Sequence, residues 1–126
     1  MRHLILIVED DEPIRESLVE LLESEGFSTI VASNGQKALD LLFQVQDLPH
    51  LILLDLMMPV KNGFEFCLEK SQTDRIAKIP VIVMSADGNA IERKNCICVR
   101  TYLKKPVDID HLIEMAKKEI CEKPFL

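Results

Sequence analysis

Three uninterrupted apolar runs, Leu4-Ile5-Leu6-Ile7-Val8, Leu51-Ile52-Leu53-Leu54 and Val81-Ile82-Val83-Met84, each stop at a polar residue. A strand with one face in water alternates apolar and polar residues, whereas a run without alternation must be covered on both faces. Strands covered in this way are characteristically parallel, and a parallel pair needs a crossover of a dozen or more residues, usually a helix. The intervals between the runs supply such crossovers. Weaker apolar stretches at Phe27 to Ala32 and Thr101 to Leu103 complete a series of five, with the three continuous runs expected at the centre of the sheet.

The first interval is the clearest helix. Asp11 is placed to cap it, Pro13 suits its first turn, and Ile14, Leu18, Leu21 and Leu22 form one apolar stripe. Gly26 ends it, since glycine enters the left-handed conformation at little cost. After the turn-like Ser33-Asn34-Gly35, a second stripe runs through Ala38, Leu41, Leu42 and Val45 and stops near Pro49. A helix after Gly63 is shorter and less defined. The last stripe uses Ile109, Leu112, Ile113, Ala116 and Ile120, with Asp108 as its cap. Gly88 to Val99 has only Ile91 and Ile97 as large aliphatics and is the least defined part of the chain.

With 126 residues, no internal repeat and no linker, residues 1–126 read as a single domain. The expected architecture is α/β: a doubly wound five-stranded parallel sheet flanked by about five helices. A formal net charge of −6 argues against direct nucleic-acid binding, which needs a basic face. The apolar runs are too short to span a bilayer or form a signal peptide, so no membrane insertion and a cytoplasmic location are expected. Cys67, Cys96, Cys98 and Cys121 lack paired zinc-ligand spacing, and Cys96-Ile97-Cys98 is one residue short of a CxxC motif. They read as reduced thiols. His3, His50 and His111 are scattered and form neither a triad nor a metal pattern.

In a doubly wound sheet, ligands sit beyond the carboxyl ends of the strands, where the strand order reverses. Glu9-Asp10-Asp11, Asp55, Ser85 and Lys105-Pro106 occupy those ends. Carboxylates gathered at one edge repel each other unless a lysine or a divalent cation offsets them. An all-oxygen donor set suits magnesium, which binds through few carboxylates together with a substrate phosphate. A carboxylate also serves as a nucleophile toward phosphorus. Spacing alone leaves open whether Glu9 and Asp10, or Asp10 and Asp11, face the site.

From about Leu4 to Cys121 the chain resembles the receiver domain of two-component response regulators. The likeness is carried by Val8-Glu9-Asp10-Asp11-Glu12-Pro13, by Asp55-Leu56-Met57-Met58-Pro59-Val60-Lys61-Asn62-Gly63, by Ser85-Ala86 and by Lys105-Pro106. It implies a flavodoxin-like sheet of order 2-1-3-4-5. It implies Asp55 as phosphoacceptor, with magnesium, or alternatively manganese, held by Glu9, Asp10, Asp55 and the Met57 backbone carbonyl. By the same resemblance Lys105 contacts the phosphoryl group, Ser85 is the switch hydroxyl, Tyr102 is the aromatic switch residue, and the bond before Pro106 is cis. The implied partners are a sensor histidine kinase or histidine phosphotransfer protein as donor and a downstream protein target. The chain is then a stoichiometric phosphoacceptor rather than a turnover enzyme.

The sequence departs from the family between Ser85 and Lys105, where Asn95-Cys96-Ile97-Cys98-Val99-Arg100 replaces the usual helix and small-residue turn. Partner choice is the property most exposed to that departure. Met57 and Asp87 occupy positions that tune phosphoryl lifetime in the family. Other readings are a receiver-fold adaptor working without phosphorylation, a receiver fragment of a larger regulator or hybrid kinase, and a small phosphohydrolase. The intact set Glu9, Asp10, Asp55, Ser85 and Lys105 argues against the adaptor, and the lack of a substrate-recognition insertion argues against the hydrolase.

Overall fold

The structure, a computed structural model, describes residues 3–56, 60–86 and 99–121. Among the described residues there are five strands: β1 (Leu4–Val8), β2 (Ser28–Ala32), β3 (Leu51–Asp55), β4 (Val81–Ser85) and β5 (Val99–Lys104). The helices among them are α1 (Glu12–Ser24), α2 (Gly35–Gln44), α3 (Gly63–Ser71), the single-turn α4 (Asp74–Ala77) and α5 (Ile109–Cys121). The strands pair in parallel in the order β2-β1-β3-β4-β5, so the three continuous apolar runs are the inner strands. After β2 the chain returns past β1 to start β3, which places the reversal of strand order between β1 and β3.

Alternate residues of each inner strand face opposite layers. Leu6, Val8, Ile52, Leu54 and Val83 pack with Ala38 and Leu42 of α2, Phe66 of α3 and Ile76 of α4. Ile5, Ile7, Leu51, Leu53 and Ile82 pack with Leu18 and Leu22 of α1 and with Leu112, Ala116 and Ile120 of α5. Each fully buried aliphatic side chain contributes about 1.5–3 kcal/mol. The core is therefore split by the sheet into two layers, and both meet at the strand ends.

Helix boundaries follow the capping chemistry. Asp11 accepts the Ile14 N–H at 3.0 Å, Asn34 the Lys37 N–H at 2.8 Å, and Asp108 the His111 N–H at 3.2 Å. Gly26 follows α1 at φ 93°, in the left-handed region. Asn62 and Glu65 form a reciprocal capping box on α3.

Several details differ from the periodicity. In α1 and α5 the first stripe members, Ile14 and Ile109, are exposed and line one groove with Met84 and Pro106. In α2 Leu39 is buried and Leu41 only partly so, since Leu39 faces the boundary with α3 as well as the sheet. β5 is longer than Thr101 to Leu103, and its pairing skips Arg100 between Val81↔Val99 and Ile82↔Thr101, a bulge. A single-turn helix at Asp74–Ala77 has no counterpart in the apolar pattern. Its Arg75 donates to the Leu42 and Val45 carbonyls at the end of α2, both at 2.6 Å. Lys70, wholly buried, donates to the Ala77 carbonyl at 2.9 Å. Met57, Asp87, Cys96 and Cys98 lie outside the described residues.

Candidate functional site

β1 and β3 deliver carboxylates to the same place because their register pairs Val8 with Leu54, leaving Glu9 and Asp55 as the next residue of each strand line. The carboxylates of Glu9, Asp10 and Asp55 approach within 4.8 Å of one another. Glu9 and Asp55 are buried, at 0% and 4% exposure, whereas Asp10 is exposed. Asp11 is turned to the helix as its cap, so the pair facing the site is Glu9 and Asp10.

Lys105 enters from the loop after β5. Its ammonium lies 2.7 Å from Glu9 Oε1 and 3.4 Å from Asp55 Oδ2. The Lys105–Pro106 peptide is cis, and the Lys105 N–H donates to the Ser85 carbonyl at 2.8 Å, tying the β5 loop to the end of β4. Ser85 is buried and stands one residue beyond Met84, the partner of Asp55 in the ladder. Tyr102 pairs with Val83 and packs half-buried against the layer formed by α2 and α3.

Burial pushes the Glu9 carboxyl up from 4.5 to about 7; the Lys105 hydrogen bond opposes this, and the adjoining Asp55 carboxylate adds to it. Burial acts to lower Lys105, but its bond to Glu9 and the charge of Asp55 prevail and raise it above its ordinary value. Burial leads the rise of Glu9 and acidic neighbours that of Lys105, and together they mark an excess of negative charge in a space partly closed to water. A hard divalent cation fits that excess: the donors are all oxygens, three carboxylates converge, and the exposed Asp10 leaves one side open to water.

The loop behind Asp55 is fastened from below. Gly63 N–H donates to the Leu56 carbonyl at 2.9 Å, and a Cβ at Gly63 would come within 2.7 Å of the Leu56 Cα, so only glycine permits this approach. The Lys61 carbonyl accepts the Gly35 N–H at 3.0 Å, and the Lys61 ammonium pairs with Glu69 of α3. Val60 takes the left-handed conformation at φ 67°. Sequence reasoning missed Arg15, which donates from Nη1 to the Glu9 carbonyl at 2.9 Å. No signal in the sequence marks it, since its place in α1 reads as a helix surface.

Residues 5–117 match the model of the response regulator receiver domain. The chain is 46% identical over 111 residues to the transcriptional regulatory protein CpxR of Escherichia coli, an alignment covering 86% of this chain and 45% of CpxR. It is 36% identical over 120 residues to sporulation initiation phosphotransferase F of Bacillus subtilis, covering 94% of each. It also resembles the crystal structure of the Thermotoga maritima response regulator TrrA in complex with Mg2+-BeF, with a TM-score of 0.82, 30% identity, and coverage of 93% of this chain and 98% of that one. This chain spans about half the length of several curated relatives it matches, CpxR among them.

Proposed function

The chain belongs to the response regulator receiver family, and from that premise we propose that it is a phosphorylation-driven switch in which Asp55 accepts a phosphoryl group from a phosphohistidine of a partner protein. The observation that carries the reading is the convergence of Glu9, Asp10 and Asp55 within 4.8 Å, with the Lys105 ammonium beside two of them. The Mg2+-BeF complex of TrrA and the phosphotransferase name of the Bacillus subtilis relative support it.

Glu9, Asp10 and Asp55, with the Met57 backbone carbonyl, would hold magnesium; manganese would satisfy the same donors. The bound ion supplies charge neutralisation at the phosphoryl oxygens. An Asp55 carboxylate oxygen attacks phosphorus; the phosphorus–nitrogen bond breaks, and its electron pair stays on the imidazole nitrogen, which takes up a proton. Lys105 and the Ser85 hydroxyl donate hydrogen bonds to the equatorial oxygens, where charge gathers in the transition state. In the reverse direction of the switch, water attacks phosphorus, Asp55 leaves as a carboxylate, and the water proton passes to solvent. The chain acts stoichiometrically.

Engagement of Ser85 by the new oxygens shifts the Tyr102 region between two arrangements. Moving such an equilibrium from 1:99 to 99:1 requires about 5.5 kcal/mol. Charge-assisted interactions of roughly 1.5–3 kcal/mol each from Ser85, Lys105 and the ion are of the right size. The donor is a sensor histidine kinase or histidine phosphotransfer protein, the output is contact with a downstream protein rather than nucleic acid, and both meetings take place in the cytoplasm. Among the described residues no helix is long and apolar enough to cross a membrane.

The test is intact-protein mass after incubation with acetyl phosphate and magnesium. The expected result is a gain of one phosphoryl group, stable in acid and labile in base, that needs magnesium and is absent from Asp55→Asn. A gain that persists in Asp55→Asn removes Asp55 from the role. No gain despite bound magnesium moves the reading to an adaptor that works unphosphorylated or to a receiver that accepts only from its own protein donor.

A further inference from the structure

Glu9 stands at a difficult place for a buried carboxylate. It is the first residue beyond β1, where the ladder ends and the backbone must turn into α1. Its N–H still finds a strand partner, donating to the Ala32 carbonyl at 3.1 Å. Its carbonyl is held by a side chain instead: Arg15, one turn into α1, reaches back and donates from Nη1 at 2.9 Å. The Arg15 backbone is itself fixed, its N–H donating to the Asp11 carbonyl at 2.9 Å. On the side-chain end, the Asp11 N–H donates to Glu9 Oε2 at 3.3 Å, and Lys105 to Oε1 at 2.7 Å.

We infer that Arg15 is a positioning residue for the cation site, holding the Glu9 backbone so that the Glu9 and Asp10 carboxylates point at Asp55. The inference rests on the receiver reading above and extends it. Two of the contacts on Glu9 come from cationic side chains, Arg15 and Lys105, and the proposed mechanism draws Lys105 toward the phosphoryl group. Arg15 is the cationic anchor that remains. Its planar fork is suited to this, because a guanidinium keeps a directed hydrogen bond to a carbonyl where an ammonium acts as a hydrated point charge.

The sign of the effect separates positioning from charge. A fixed positive charge beside a divalent cation repels it, so removing that charge by itself tightens binding. A residue that orients a ligand works the other way, and loss of such an outer partner weakens metal affinity by roughly 10–100-fold.

The experiment compares Arg15→Gln, which removes the charge, Arg15→Lys, which keeps it, and Lys37→Gln, which removes an exposed cation of α2 lining the same groove as Arg15. Magnesium affinity is read by calorimetry, and protection of the Asp11 amide by hydrogen exchange in metal-free protein. The expected result is about tenfold weaker magnesium binding in both Arg15 variants, faster Asp11 exchange in both, and unchanged or tighter binding in Lys37→Gln. Tighter or unchanged binding in Arg15→Gln with wild-type Asp11 exchange overturns the inference. If wild-type protein fails to bind magnesium, the receiver reading falls, and Asp11 exchange still decides Arg15: faster in both variants supports positioning, unchanged in both refutes it.

Discussion

Leu53 and Leu54 are wholly buried and surrounded by aliphatic side chains, while Asp55, the next residue of the same strand, is almost as inaccessible and faces two further carboxylates and an ammonium. The interior gains from burial at every position. The edge one residue above it holds groups that repel one another and stay together because their neighbours are fixed. Stability and chemistry are thereby assigned to adjacent layers of the same strands, so a substitution should damage one and spare the other.

The largest expected effect is in the interior. Leu53→Ala should lower stability by about 2–5 kcal/mol in urea unfolding, through lost burial and the cavity left behind. The extent of Asp55 phosphorylation per folded molecule should stay at the wild-type level. A variant that unfolds no more easily but loses phosphorylation would break the division between layers.

A change of pH reaches the edge through Glu9. Between 4.5 and about 7 the folded metal-free chain keeps a proton on Glu9 that the unfolded chain has released, so this group stabilises the fold fully below 4.5 and loses its contribution as pH rises through about 7. Magnesium must displace that proton. Its affinity should rise up to about tenfold per pH unit below about 7 and level off above, measured by calorimetry in buffers of different ionisation enthalpy, which also count the proton released. Glu9→Gln should flatten the profile, and a profile that keeps its slope in that variant places the titration elsewhere.

The smallest effect sharpens the contrast between buried and exposed charge. Lys117 and Glu25 make an ion pair of 2.9 Å on the surface, near the 2.7 Å of Lys105 and Glu9 in the site. Lys117→Ala should change the unfolding free energy by about 0.5 kcal/mol or less, because water and salt screen an exposed pair. A loss comparable to that of Leu53→Ala would show that the α1–α5 contact depends on this pair rather than on its apolar side chains.

Much of this division was legible in advance. Leu4 to Val8, Leu51 to Leu54 and Val81 to Met84 lack alternation, and only strands covered on both faces have that pattern, so their central places followed directly. Asp11 and Asp108 were readable as caps because a short acidic side chain before an apolar stripe has an orphan N–H within reach. The stripe in α2 holds Leu41, which packs partly buried against the core, but leaves out the buried Leu39, since periodicity assumes one packing direction and α2 has two. The single turn at Asp74–Ala77 was not legible, being too short for a repeat to register.

The residues of the site were nameable individually, but their arrangement was not. Sequence alone determined that Glu9, Asp10, Asp55, Ser85 and Lys105 lie at strand ends, because chain direction in a parallel sheet sends all those ends to one edge. Spacing left open which acids face each other and the family resemblance implied Glu9 and Asp10; in the tertiary structure the turn into α1 brings those two to Asp55 and turns Asp11 to the helix. Only the tertiary structure decided the roles of the long cations. Arg15, Lys70 and Arg75 each sit on a helix, where a basic residue ordinarily extends into water, yet each donates to a backbone carbonyl at the end of a strand or helix. A flexible side chain of four or more bonds reaches many acceptors, and which one it takes depends on the packing of elements distant in sequence.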